Sequence, residues 1–164
     1  MATRPSWDAY FMQIAELTAK RSTCIRRKVG AVAVKNNKML TTGYNGAPKK
    51  VEHCDSRGCY RQVNNIPSGS ELAKCWAVHA EQNVIIQAAE QAVNLYGATL
   101  YSTVFPCSIC AKMIINAGIQ EVVVPDLNYP DELSLEIFKS SDVLVGRTED
   151  PRSIFKEEMI DELS

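Results

Sequence analysis

Apolar residues recur along this chain with two periods, and the places where the period changes mark its elements. After Ser6, a residue suited to capping a helix, Trp7, Tyr10, Phe11, Ile14 and Leu17 share one face of a helix running to about Arg21. The small and β-branched run Val29 to Val34 then meets Lys35-Asn36-Asn37-Lys38, and Met39 to Tyr44 follows, which predicts a hairpin. Gly43-Tyr44-Asn45-Gly46-Ala47-Pro48 closes the second strand with residues that permit irregular turns and close backbone approach. From Lys49 to Lys74 periodicity fades and turn formers are frequent, so a long loop insertion at about 49–75 is expected within one domain spanning 1–164. Beyond it, Val78, Val84, Ile85, Ala88, Ala89 and Ala92 mark a second helix and Ala98 to Val104 a third strand. Cys110, Ala111, Ile114, Ile115 and Ala117 mark a third helix that ends at Gly118. Glu121 to Val124 predicts a fourth strand, Asp131 to Ser140 a fourth helix, Val143 to Val145 a fifth strand, and Asp150 caps a last helix. The helix between the last two strands implies a right-handed crossover and a parallel pair. The sum is an α/β fold with a mixed sheet and helices on both faces.

Two stretches on this frame carry chemistry. His79-Ala80-Glu81 opens the second helix, and Pro106-Cys107-Ser108-Ile109-Cys110 opens the third. One imidazole and two thiolates suit zinc, and three protein ligands leave the fourth tetrahedral position for water, which is the catalytic arrangement. Helix N-termini favour thiolate over thiol and offset the negative charge that develops during hydroxide attack. Glu81 is then the carboxylate free to move protons. A Cys-x-x-Cys pair alone also fits a redox couple or half of a zinc knuckle, and the His-x-Glu partner is what favours catalysis. Residues two apart on a regular helix point to nearly opposite sides, so the spacing does not show how Glu81 reaches the metal-bound water.

Four cysteines remain: Cys24 at the end of the first helix, and Cys54, Cys59 and Cys75 in or just beyond the long loop. A closed zinc site would account for all four and would order the loop, with His53 an alternative ligand; it is preferred to four scattered thiols because exposed loop cysteines otherwise have little structural use. Composition narrows the setting. A chain of 164 residues that is 46% hydrophobic has material for a full core. A net charge of -1 and a pI near 6.1 offer no broad attraction to a polyanion, so no nucleic-acid partner is expected, while a small anion needs only a local basic patch. No apolar run has the length of a membrane span or the form of a signal peptide, so a cytoplasmic protein with no membrane partner is expected. In that compartment cysteines serve as ligands or buried thiols and not as disulfides.

Arg21-Ser22-Thr23-Cys24, Lys28-Val29-Gly30-Ala31, the stretch Gly43 to Pro48, His79-Ala80-Glu81-Gln82-Asn83 and Phe105-Pro106-Cys107-x-x-Cys110 together resemble the deoxycytidylate (dCMP) deaminases of the cytidine deaminase superfamily. The likeness spans most of the chain. It implies a three-layer α/β/α sandwich with a five-stranded mixed sheet, a zinc held by His79, Cys107 and Cys110, and Glu81 as the catalytic acid and base. The implied reaction is hydrolytic deamination of dCMP to dUMP and ammonia by a zinc-bound hydroxide, supplying dUMP for thymidylate synthesis. By the same resemblance Asn45 would hold the deoxyribose hydroxyl, the backbone around Ala80 would read the pyrimidine edge, and Phe105 would wall the base pocket. Arg26, Lys28 and Tyr129 are the candidates for the 5'-phosphate. A second, structural zinc, giving two per chain, maps to Cys24, Cys54, Cys59 and Cys75; relatives that use histidines there keep His53 an alternative. Homohexamers activated by dCTP and inhibited by dTTP with magnesium are implied as well. Zinc deamination of dCTP, a nucleoside or tRNA adenosine remains an alternative, as does a non-catalytic zinc-stabilised scaffold, against which a carboxylate beside an open zinc position weighs.

Overall fold

The computed structural model describes residues 4–126 and 131–148. Tyr129 and the helix expected from Asp150 lie outside the described residues. Helix α1, Trp7–Ala19, starts where expected, with the Ser6 Oγ accepting the Ala9 N–H at 3.1 Å. Strands β1, Gly30–Lys35, and β2, Lys38–Tyr44, form the antiparallel hairpin. Asn36 and Asn37 turn it with φ of 52° and 57°, the left-handed geometry that a two-residue hairpin loop requires.

The aperiodic segment that follows carries two single-turn helices, α2, Cys54–Arg57, and α3, Tyr60–Val63, each too short for a helical period to show in sequence. It is tied down through Trp76, whose ring lies under the Arg57 guanidinium at 3.7 Å and meets Tyr60 edge-on at 5.6 Å. The remaining elements are α4, Ala80–Glu90; β3, Thr99–Ser102; α5, Ser108–Asn116; β4, Glu121–Val124; α6, Glu132–Lys139; and β5, Leu144–Arg147. The sheet order is β2-β1-β3-β4-β5, with β1 antiparallel to both neighbours and β3, β4 and β5 mutually parallel. Among the described residues no helix is long and apolar enough to cross a membrane.

Side-chain alternation along the strands separates two cores. Ala31, Ala33, Leu100, Val122 and Val124 face Val84, Ile114 and Phe138, from α4, α5 and α6. Val32, Val34, Tyr101 and Val123 face the other way, onto Phe11, Met12 and Ala15 of α1. The result is a three-layer α/β/α sandwich around a five-stranded mixed sheet.

One contact in this frame sets the position of the first chemical stretch. A Cβ on Gly43 would lie 2.3 Å from the Ala80 carbonyl oxygen and 2.6 Å from the Val84 nitrogen, so β2 meets the first turn of α4 backbone to backbone. Asn83 Nδ2 donates to the Tyr44 carbonyl at 2.7 Å and Thr41 Oγ1 to the Val84 carbonyl at 3.1 Å, locking the same junction. Gly43→Ala is expected to lower unfolding stability by roughly 1–3 kcal/mol, because backbone rather than a flexible side chain must give way. Urea unfolding of the purified variant, at unchanged denaturant slope, measures it.

Candidate active site

His79 and Cys107 occupy equivalent places: each is the N-cap of its helix, with extended backbone at φ -72°, ψ 159° and φ -71°, ψ 169°. Because His79 stands before the helix, helical rotation does not set its direction relative to Glu81, and both side chains turn into one site. The His79 N–H donates to Gln82 Oε1 at 2.8 Å, which holds the cap. Cys110 lies in the first turn of α5. His79 Nδ1 is 3.4 Å from Cys110 Sγ and 3.5 Å from Cys107 Sγ, and the three donor atoms all lie within 4.8 Å of one another. Tetrahedral zinc with Zn–N of ~2.05 Å and Zn–S of ~2.3 Å has N···S edges of about 3.5 Å, so the donors fit this ion in kind and spacing.

Electrostatics in this group are strongly coupled. Without a metal, the Cys107 thiol is pushed down to about 4, first by the hydrogen bond from Cys110 and then by His79, against the opposing effect of burial. Cys110 is pushed up by that same bond and by burial, so the pair shares one proton and Cys110 keeps it. The bond to Cys107 also raises His79. Binding a metal displaces the retained proton. Glu81 is only 4% exposed, with Oε2 3.7 Å from Cys110 Sγ and Oε1 3.5 Å from Ser102 Oγ at the end of β3. Burial raises its pKa, which His79 partly opposes.

A cavity of about 120 Å³ opens beside this group, lined by His79, Glu81 and Cys107 and also by Arg26, Arg27 and Arg61. Asn45 lines it but is heavily used by the fold. Its Oδ1 accepts the Val29 N–H at 2.8 Å, its Nδ2 donates to the Arg27 carbonyl at 2.9 Å, and the Ser22 hydroxyl lies 2.7 Å from Oδ1. One Nδ2 hydrogen is left over. Ala80 and Phe105 also border the cavity, both buried, with Phe105 edge-on to Phe138 at 5.8 Å. Of the three phosphate candidates, Arg26 is on the wall, Lys28 is exposed and stands outside it, and Tyr129 is outside the described residues.

The other four cysteines are all free thiols, Cys54 and Cys59 buried and Cys24 and Cys75 half-buried. Cys54 is pushed up by burial and by its neighbours Cys24, Cys75 and Cys59. They are not gathered as tightly as the histidine-cysteine group, which among the described residues is the set of donors placed to hold a metal. His53 caps α2 and its Nδ1 lies 3.2 Å from Thr23 Oγ1.

Comparison with known proteins follows the same lines. Residues 5–125 match the family described as the cytidine and deoxycytidylate deaminase zinc-binding region. The deoxycytidylate deaminase of Saccharomyces cerevisiae is 39% identical over 154 residues, covering 92% of this chain and 48% of that protein. The deoxycytidylate deaminase of Mycobacterium phage D29 is 43% identical over 128 residues, 75% of this chain and 97% of that protein. The crystal structure of dCMP deaminase from the cyanophage S-TIM5 in complex with dCMP and dUMP has a TM-score of 0.69 at 28% identity, over 89% of this chain and 99% of that one. The chain spans about half the length of the yeast relative.

Asp131 serves the site without touching the donors, and motif reading passes over it. Its Oδ2 accepts the Ser108 N–H at 2.7 Å and its Oδ1 the Ser134 N–H at 3.2 Å, so one carboxylate caps both α5 and α6. Ser134 Oγ donates to the Pro106 carbonyl at 2.5 Å, bracing the ligand turn from its other side. Asp131→Ala is expected to cost about 1 kcal/mol per cap and to speed zinc loss to a chelator. Asp131→Asn, with a single acceptor oxygen, should fall between. Equal zinc release from all three proteins would remove Asp131 from this role.

Proposed function

We propose, from the premise that this chain belongs to the cytidine and deoxycytidylate deaminase family, that it is a zinc-dependent hydrolase converting dCMP and water to dUMP and ammonia. The observation that carries the reading is the buried Glu81 carboxylate beside three metal donors, in a cavity whose wall also bears arginines. Bound by His79, Cys107 and Cys110, zinc would supply the Lewis acidity that makes water a nucleophile near neutral pH. Glu81 takes a proton from the attacking water and delivers it to the ring nitrogen next to the amine-bearing carbon, then takes that water's second proton from the hydroxyl now on the carbon and passes it to the departing amine as the carbon–nitrogen bond breaks. Burial raises its proton affinity, as a group that accepts and then releases protons requires.

The remaining Asn45 N–H is free to meet the deoxyribose hydroxyl, the backbone at Ala80 reads the pyrimidine edge, and Phe105 walls the base. Arg26 and its neighbours on the wall favour an anionic nucleotide over a nucleoside. A second, structural zinc on Cys24, Cys54, Cys59 and Cys75 belongs to the same reading, supported by the mutual influence of these thiols and by the aperiodic segment they would order. The likeness to deoxycytidylate deaminases extends the proposal to a cytoplasmic homo-oligomer controlled by dCTP and dTTP with magnesium.

Loss of cytosine absorbance with dCMP, CMP, dCTP, deoxycytidine and cytosine, each with and without dCTP or dTTP plus magnesium, tests the substrate. Turnover is expected with dCMP above the rest; turnover confined to dCTP or deoxycytidine would overturn it. Glu81→Gln is expected to retain zinc and fold while losing at least ~10²-fold in turnover. Metal analysis of the purified chain should give close to two zinc per chain, and a value of one would remove the four-cysteine site.

A further inference from the structure

Arg61 is buried, with 8% of its surface exposed, on the one-turn helix α3. Its Nη2 donates to the Pro67 carbonyl at 2.9 Å, while its Nε is buried and has no hydrogen-bond partner. The ion pairs found among the described residues are Lys49–Glu90 and Lys74–Glu71, so no carboxylate there neutralises it. A guanidinium stays charged at any pH a protein meets, and burying one unpaired is costly. The fold retains this group on the wall of the active-site cavity, and the cost points to an anion that arrives from outside.

The surroundings say which anion. Arg26 lies on the same wall, its Nη1 donating to the Ile66 carbonyl at 3.0 Å, so adjacent carbonyls of one loop fix two guanidiniums. Among the described residues Glu81 is the only carboxylate on the cavity wall, and it lies beside Cys110. A wall of fixed guanidinium forks suits the oxygens of a phosphate monoester. We propose that Arg61, with Arg26 alongside, pairs with the 5'-phosphate of the substrate and is the residue that makes this site prefer a nucleoside monophosphate over the nucleoside. This rests on the deaminase reading above and names the specificity residue within it.

The test uses the zinc-loaded full chain and compares kcat/KM for dCMP with kcat/KM for deoxycytidine. Wild type should favour dCMP; if it does not, the substrate reading itself fails, whatever Arg61 does. Given that preference, Arg61→Gln should lower the dCMP-to-deoxycytidine ratio by about 10- to 100-fold, the range for lost hydrogen bonds to a charged group, and mainly through the KM for dCMP. Arg61→Lys, which keeps the charge and loses the fork, should fall between. An unchanged ratio, with both substrates reduced together or neither reduced, would show that Arg61 only braces the 66–67 loop and would overturn the proposal. Inorganic phosphate supplies a readout that needs no turnover. It should raise the melting temperature of wild type and do so less in Arg61→Lys, and an equal shift in the two proteins also overturns the assignment.

Discussion

Two helix N-termini meeting near the end of β3 form the constraint on which the site depends. His79 and Cys107 each sit one residue before a helix, where the backbone is still extended, so each donor faces the other helix and not along its own. That convergence demands close packing. Gly43 lets β2 reach the backbone of α4 at Ala80 and Val84, and Asp131 joins the starts of α5 and α6 through a single carboxylate. A side chain in the first place, or an unsatisfied amide in the second, would move donors whose spacing must hold to a few tenths of an ångström to suit zinc.

The same convergence buries charge, and one cavity wall carries groups of both signs. The imidazole, two coupled thiols and Glu81 share protons among themselves, and a cation placed there would settle which sites keep them. Arg26 and Arg61 are held on the same wall by the Ile66 and Pro67 carbonyls, and Arg61 is near enough to oppose the rise in the His79 pKa. In a small, partly dehydrated space such charges act more strongly than in water. The near-neutral balance of the whole chain conceals this, since a net charge of -1 is a sum over the surface and says little about one cavity.

The segment between β2 and α4 links these two features. Its α2 and α3 are single turns, held by the Arg57–Trp76 contact and by the loop carbonyls that take up Arg26 and Arg61. Cysteines 54 and 59 are buried within it and Cys75 lies half-buried near its end, while Cys24 precedes the hairpin. The backbone hydrogen bonds of this segment are mostly local turns, such as Val63 N–H to the Cys59 carbonyl, so its placement on the rest of the fold depends on side chains such as these.

Much of this was legible in the chain by itself. Periodicity is a property of neighbouring residues, so the strands and the longer helices could be read locally, down to the Ser6 cap and the Asn36-Asn37 turn. His79, Glu81, Cys107 and Cys110 could be read too, because the chemistry of a zinc site shows in residue type and spacing. Three things were decided only by the tertiary structure. The cap position of His79 aims it into the same site as Glu81, which a helical wheel does not allow. Asp131 reaches back across the chain to cap the helix that bears the cysteines. Arg61, in a stretch without a pattern to mark its burial, is closed off with an unpaired Nε on the cavity wall. Each depends on residues distant in sequence meeting in space, and no local period records such meetings.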